Sequence, residues 1–345
     1  MEQITQLNKH TLSAVFMSPP GPCAVNVRMG FSALVCACVL AFCSAAPVKR
    51  LQRNEPENNR PIIGILTQEV DNEAMKIFGK TYIPSSYVKY IESGGARVVP
   101  IRLNQSSAEH EKIFNSINGL ILIGGSVNLE TSDFAHTAGI YFRLALKAHD
   151  EGEYFPIWGT CLGFQLLTVL VAGENLLSKT TAENVTYPLN FSSEAQSSRM
   201  FANVPPDLRK ALSQEPLTAN FHHYGVTKEA FMGNEKLKSF FSVLSTNIAE
   251  NGLEFVSTME GRKYPFYGVQ WHPEVNRFQW DPRYNFPHSS NAVRISSVLA
   301  EFFVNEGRRS SHHFSEAAEE SRALIYNYNP VYVANISAYE QSYFF

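Results

Sequence analysis

From residue 60 onward the chain switches between two hydrophobic periods. Residues 61–68 (PIIGILTQ) are a continuous apolar run of strand length. Residues 82–92 (YIPSSYVKYIE) predict a helix, with Pro84 near its first turn, Tyr87, Val88 and Ile91 on one face, and Gly94 with Gly95 as its stop. Residues 96–103 (ARVVPIRL) read as the next strand, and Ser106 with Glu109 has capping-box spacing ahead of a helix carrying Ile113 and Ile117. Residues 119–123 (GLILI) form a fully apolar strand that runs into Gly124, Gly125 and Ser126. A helix over 134–149 places Ala138, Tyr141, Leu144, Ala145 and Ala148 at helical spacing, and 155–158 is the strand after it. Strands alternating with helices at this spacing predict an α/β fold with a mostly parallel central sheet and helices on both faces. In such sheets chemistry collects at the carboxyl ends of the strands.

After about Gly173 the rhythm changes. Residues 179–198 are polar and predict loop and edge strands, and 217–224 (LTANFHHY) predicts a short connector rich in histidine and aromatics. Residues 240–244, 253–259 and 265–271 are three strand patterns that extend the sheet, partly antiparallel. Residues 292–307 form an amphipathic helix with Ile295, Val298, Leu299, Phe302 and Phe303 inward, and the aromatic tail from residue 321 is expected to dock on the core. One domain over residues 60–345 accommodates all of this.

The N-terminal part has another character. Arg28 precedes an apolar run over 31–42, and small residues follow at Ser44, Ala45 and Ala46. Residues 1–46 therefore read as a leader cleaved near Ala45 or Ala46, Met29 being a second candidate start, and 47–59 as a linker. An anchor that is never removed is the alternative, although the apolar run is short for a bilayer span. Of five cysteines, Cys23, Cys36, Cys38 and Cys43 fall in the leader. Cleavage would leave Cys161 alone, with no intramolecular disulfide and no stable membrane anchor. Asn104, Asn184, Asn190 and Asn335 each begin an Asn-x-Ser/Thr sequon, in keeping with passage to the lysosome or the extracellular space. A formal charge of −3 without a basic block argues against a nucleic-acid partner.

The candidate chemistry centres on residues 154–167 (YFPIWGTCLGFQLL). An apolar strand meets Gly-Thr-Cys-Leu-Gly and a helical run follows, the arrangement of a nucleophile elbow with Cys161 at its tip. A helix N-terminus there favours the thiolate, the form that attacks carbonyls. A thiolate needs a proton shuttle, and the shuttle needs an orienting partner. His272 follows a strand pattern within Gly-Val-Gln-Trp-His-Pro-Glu, so it can meet Cys161 across the sheet edge, while Glu274 can accept from the other ring nitrogen. By themselves the residues also admit a buried structural cysteine and a His-Pro turn.

Taken together, Gly-Thr-Cys-Leu-Gly and the later Val-Gln-Trp-His-Pro-Glu resemble the class I glutamine amidotransferase-like superfamily, which has a flavodoxin-like core. Residues 60–66 (RPIIGIL), 86–92 (SYVKYIE), 96–100 (ARVVP), 124–127 (GGSV) and 217–222 (LTANFH) extend the likeness to its gamma-glutamyl hydrolase family. The resemblance covers roughly residues 60–345. It implies hydrolysis of the γ-linked glutamate tail of folylpolyglutamates and similar antifolates, through a thioester on Cys161 with His272 as acid and base. It further implies an oxyanion hole from the Gly125 and Leu162 N–H groups, substrate contacts from Tyr87 and His222, no cofactor, and leaves a homodimer open. Some members of the family carry an acidic residue where this chain has Gln165; glutamine there is the habit of the amidotransferases, where it helps hold the substrate. Neighbouring His223 and the pair His312 and His313 are expected to be solvated, and no spacing suggests a metal site. Two rivals stand beside this reading: a glutamine amidotransferase feeding ammonia to a synthase, and a secreted glycoprotein that keeps the fold only to bind.

Overall fold

Successive side chains of a strand point to opposite faces of its sheet, and the aromatic and glycine positions of two neighbouring strands show what each face meets. The computed structural model describes residues 57–345, so the leader and residues 47–56 of the linker lie outside it. In chain order the first half contains β1 (Ile62–Leu66), β2 (Gln68–Glu69), β3 (Thr81–Pro84), α1 (Ser85–Ser93), β4 (Arg97–Ile101) and α2 (Ser107–Phe114). Then come β5 (Leu120–Leu122), α3 (Asp133–Asp150), β6 (Ile157–Thr160) and α4 (Leu162–Ala172). The second half adds β7 (Leu177–Tyr187), β8 (Asn190–Phe191), α5 (Arg199–Ala202), α6 (Pro206–Gln214), β9 (Thr218–Val226), α7 (Lys228–Gly233) and α8 (Glu235–Phe240). It continues through β10 (Phe241–Ile248), β11 (Glu254–Gly261), β12 (Phe266–Val269), α9 (Val275–Phe278), α10 (Ser290–Gly307), α11 (Ala317–Ala323), β13 (Val331–Tyr332) and β14 (Gln341–Phe344).

The central sheet runs β4-β1-β5-β6-β12-β11-β10-β8. Its first five strands are parallel, and the last three join antiparallel, as the sequence pattern predicts. Trp158 of β6 and Tyr267 of β12 are partners in register and pack edge-on against Phe303 and Phe302 of α10. One position further on, Gly159 and Gly268 face the other way, against α4: a Cβ on Gly268 would lie 2.8 Å from the Phe164 ring. Helices therefore cover both faces. On the α10 side, α1 and α9 pack beside it; α4 covers β5, β6 and β12 on the other side, with α3 and α8 against it. The helix α4 is buried nearly all round, as expected of an element between a sheet and a second helical layer.

Some expectations need correction. The predicted helix over 82–92 begins only at Ser85, because residues 81–84 are strand β3, paired with β2 and, through Ser342↔Pro84, with β14. Nothing local announces a partner so distant in the chain. Residues 217–224 are not a connector but most of β9, which pairs with β7 as a separate antiparallel ribbon. Its buried positions include Asn220 and His222, so polar residues hide the alternation. Over 179–198 the expected loop and edge strands are present, as most of the ribbon strand β7, the short edge strand β8 and the loop after it. His312 is not solvated: it is buried, with Nδ1 2.8 Å from Phe114 O and Nε2 3.0 Å from Glu153 Oε2. The capping box at Ser106 is present, although α2 ends before Ile117. The tail docks as expected, with β14 on β3 and His313 left exposed.

Candidate active site

The elbow is built from steric necessity. Between β6 and α4, Cys161 is held at φ 51° and ψ −105°, outside the regions open to most L-residues. Its N–H donates to Val269 O of the neighbouring strand at 2.8 Å, and its carbonyl accepts from Gln165 N at 3.0 Å, the first bond of α4. The flanking glycines permit the turn: a Cβ on Gly159 would lie 2.5 Å from Gly163 O, and one on Gly163 would overlap Leu122 O. So the predicted strand, turn and helix are all present, with the thiol at the carboxyl edge of the parallel strands.

His272 reaches the same edge from the end of β12. A Cβ built at Gly124 would lie 2.8 Å from His272 Cε1 and 3.3 Å from Cys161 Cβ, so the imidazole and the thiol flank one point above β5. The His272 N–H donates to Ala219 O of β9 at 2.9 Å, and the Phe221 ring meets the imidazole edge-on. Nδ1 of His272 faces Glu274 Oε1 at 2.7 Å, and Glu274 is itself buried. Burial works against a charge on His272, but the Glu274 carboxylate first, and Cys161 next, outweigh it and raise the imidazole to about 10.

The other predicted residues surround this group. The Tyr87 hydroxyl accepts from Gly124 N at 2.8 Å, and burial, with Glu274 next, pushes its phenol well above the ordinary range. Gly125 follows in a backbone conformation where a Cβ would overlap the Gln68 amide. Among the described residues, neither Gly125 N–H nor Leu162 N–H is taken by a backbone carbonyl. Gln165 is buried, and its Nε2 donates to Tyr224 O at 2.7 Å and Gln270 Oε1 at 3.1 Å. With Leu162, Gln165 lines a recess of about 530 Å³ together with Val127, Leu129 and Tyr224. A larger groove of about 980 Å³ runs beside β8 along Phe191 and Pro205, and holds none of these residues.

His222 is buried with both ring nitrogens unpartnered, and burial, followed by the nearby His272, lowers it to about 3. Thr180 Oγ1 and Gln270 Nε2 are also buried without partners. All three side chains surround the bare face of Gly225, where a Cβ would lie 2.7 Å from Thr180 Oγ1 and 3.9 Å from His222 Cε1. Buried polar atoms left unpaired are costly, so a cluster of them marks a place built to receive polar groups. His223 is exposed beside Glu183, as expected. Gln68, Phe221 and Gln270 escaped the sequence reading, although each adjoins a residue or run that it singled out. Their position beside a motif was the only signal available.

The sequons divide. Asn104, Asn190 and Asn335 are exposed, whereas Asn184 is half-buried and donates from Nδ2 to Arg283 O at 3.2 Å. No helix among the described residues is long and apolar enough to cross a membrane. No group of three or more His, Cys, Asp or Glu side chains among them is arranged to hold a metal ion.

A family model described as peptidase C26 matches residues 61–274. The Homo sapiens protein named gamma-glutamyl hydrolase is 49% identical over 312 residues, covering 90% of this chain and 98% of that one. Its Bos taurus namesake is 49% identical over 306 residues, covering 89% and 96%. Gamma-glutamyl hydrolase B of Dictyostelium discoideum is 41% identical over 290 residues, covering 84% of each chain. The chain belongs to the peptidase C26 family, alongside relatives that carry the name gamma-glutamyl hydrolase.

Proposed function

We propose that the chain is a thiol hydrolase of γ-glutamyl bonds, acting on folylpolyglutamates and related antifolate polyglutamates. The observation that carries this reading is the pairing of a strained Cys161 at a helix N-terminus with an imidazole that Glu274 keeps charged. The Cys161 sulfur attacks the γ-amide carbonyl, and the developing oxyanion points to the N–H groups of Gly125 and Leu162. Such donors contribute about 3–4 kcal/mol each in other hydrolases. His272, protonated at the start, gives its proton to the departing glutamate amine as the C–N bond breaks. The neutral ring then takes a proton from water as that water attacks the thioester. Thiolate and imidazolium are restored, and the γ-glutamyl acid leaves.

Glu274 fixes the tautomer by accepting from Nδ1, which leaves Nε2 to carry the moving proton. Tyr87, Gln165 and His222 hold the substrate end. The unpartnered atoms of His222, Thr180 and Gln270 suit the polar groups of an amino-acid head, with His222 acting as a neutral ring. The Gln165 amide N–H groups donate to protein acceptors, so this side chain serves the recess chiefly by shaping it. The leader and the sequons fit a secreted or lysosomal enzyme whose mature chain forms one domain from about residue 60.

Purified chain is incubated with a defined γ-linked pentaglutamate of a folate, and the products are separated. Stepwise or internal loss of glutamate is expected. Cys161→Ala should abolish it with the fold intact, and His272→Ala should cost nearly as much, because the pair acts as a unit. Full turnover by Cys161→Ala would refute the assignment.

A further inference from the structure

The loop that leaves β5 carries Gly124 and Gly125, and three side chains from earlier in the chain stand against it. Tyr87 accepts from Gly124 N at 2.8 Å, and Ser126 Oγ donates to Asp71 Oδ2. Between these two ties comes Gln68 of β2, set in place by the pairing of that residue with Tyr82 of β3. Its amide fills the room that a side chain on Gly125 would need. A Cβ there would lie 1.7 Å from Gln68 Oε1, 2.5 Å from Cδ and 2.7 Å from Nε2.

Gln68 is 1% exposed, and its Nε2 is buried without a hydrogen-bond partner. A buried amide donor in that state destabilises the fold. Filling the space beside Gly125 asks only for bulk, which methionine or leucine supplies without that penalty. The bond geometry of a residue holds its Cβ about 2.5 Å from its own nitrogen, so Gln68 Nε2 lies within about 5 Å of Gly125 N. Turning the amide end for end brings its nitrogen nearer still, to within about 4 Å. Two donors that each sit about 2.9 Å from an acceptor can stand up to about 6 Å apart, so one oxygen can accept from both. Gly125 N–H is likewise not taken by a backbone carbonyl, and the adjoining Gly124 is the point that Cys161 and His272 flank.

We propose that Gln68 supplies a third donor to the oxyanion hole, its amide N–H converging with those of Gly125 and Leu162. The acceptor is the oxygen that becomes negative as the Cys161 sulfur adds to the γ-carbonyl. In that step the S–C bond forms and the C=O π pair moves onto oxygen; when the C–N bond breaks, the pair returns to the carbonyl. A fixed neutral donor stabilises the charge only while it exists, so its effect falls on the transition state and not on substrate binding. This role rests on the hydrolase reading for the substrate, and on the contact between Gln68 and Gly125 for the place of the donor.

The test uses the full chain with Gln68→Met, which keeps the length of the side chain and removes the amide. Gln68→Glu, closest to the parent in shape, puts an acceptor in the donor's place and guards against a packing fault. Measured are kcat and KM on a γ-glutamyl peptide, the Kd of an N-acylated glutamate γ-aldehyde, the rate of Cys161 alkylation by iodoacetamide, and Tm. The thiolate adds to the aldehyde as it would to substrate, leaving an oxygen in the same place, whereas alkylation displaces iodide and makes no oxyanion. Gln68→Met should lower kcat by about 100-fold, the loss known for one oxyanion-hole donor, and Gln68→Glu by at least as much. KM should stay within about threefold and aldehyde binding should weaken by more than about 10-fold. Alkylation should stay within about twofold of the parent, and Tm within about 2 °C. The proposal is overturned if either variant keeps kcat within about threefold, if only KM moves, or if alkylation slows in step with turnover. A parent chain without turnover would sink the hydrolase reading instead, and aldehyde affinity in parent and Gln68→Met would then decide the role of Gln68.

Discussion

Cys161 carries a backbone conformation that costs about 1–3 kcal/mol for a residue with a Cβ. The fold sustains it because β6 and α4 are both buried and leave no room for another turn. Replacing the cysteine by glycine should release that strain, offset by about 0.5–1 kcal/mol of extra chain entropy. Cys161→Gly should thus be inactive yet more stable by about 1 kcal/mol in urea unfolding, while Cys161→Ala gains nothing. A glycine variant less stable than the alanine one would show that the turn is relaxed. At this scale the sequence was most legible. Gly-Thr-Cys-Leu-Gly requires its glycines for close approach, and steric need leaves a local trace.

Among the elements, β9 shows most clearly why a pattern can mislead. Its inward face carries Asn220 and His222 rather than aliphatic side chains, so the period-two signal is lost where function needs polarity. Yet β9 holds His272 by the bond to Ala219 O and by the Phe221 ring. Its partner β7 carries Asn184, in a left-handed backbone conformation with φ 56°. There Oδ1 accepts from Asn285 N at 2.7 Å and Nδ2 donates to Arg283 O, fastening residues 283–285 to the ribbon. A glycan on Nδ2 would break this attachment. Glycopeptide mapping of secreted material should therefore find Asn104, Asn190 and Asn335 occupied and Asn184 bare; substantial occupancy at Asn184 would contradict this. The parallel core was readable because its strands are continuous apolar runs separated by amphipathic helices. The β3–β14 pairing was not, because register between distant segments is set by three-dimensional closure.

For the molecule as a whole, two buried histidines bend the pH dependence of stability in opposite directions. His272, raised to about 10, binds a proton more tightly folded than unfolded. Its contribution is complete below its ordinary value of 6.5 and is lost as pH rises through about 10. His222, lowered to about 3, refuses a proton that the unfolded chain takes up, so stability falls as pH drops from 6.5 toward 3. Together they place the maximum near pH 6.5. Urea midpoints at several pH values should trace this dome, and His222→Gln should flatten its acid side while leaving the alkaline side unchanged. An unaltered acid limb would show that His222 is freely protonated in the fold.

The pairing of β3 with β14 also bears on the order in which a ribosome delivers this protein. Strands β1, β4, β5 and β6 and the thiol-bearing bend emerge early, and their parallel ladder waits only on neighbouring segments. Strand β3 must leave one edge open until residues 341–344 arrive, a loop whose closure comes late and slowly. A nascent chain thus holds its sulfur long before β14 closes the open edge of β3, the strand that leads into the helix of Tyr87, so this side of the site settles with the last contacts made and not with the first.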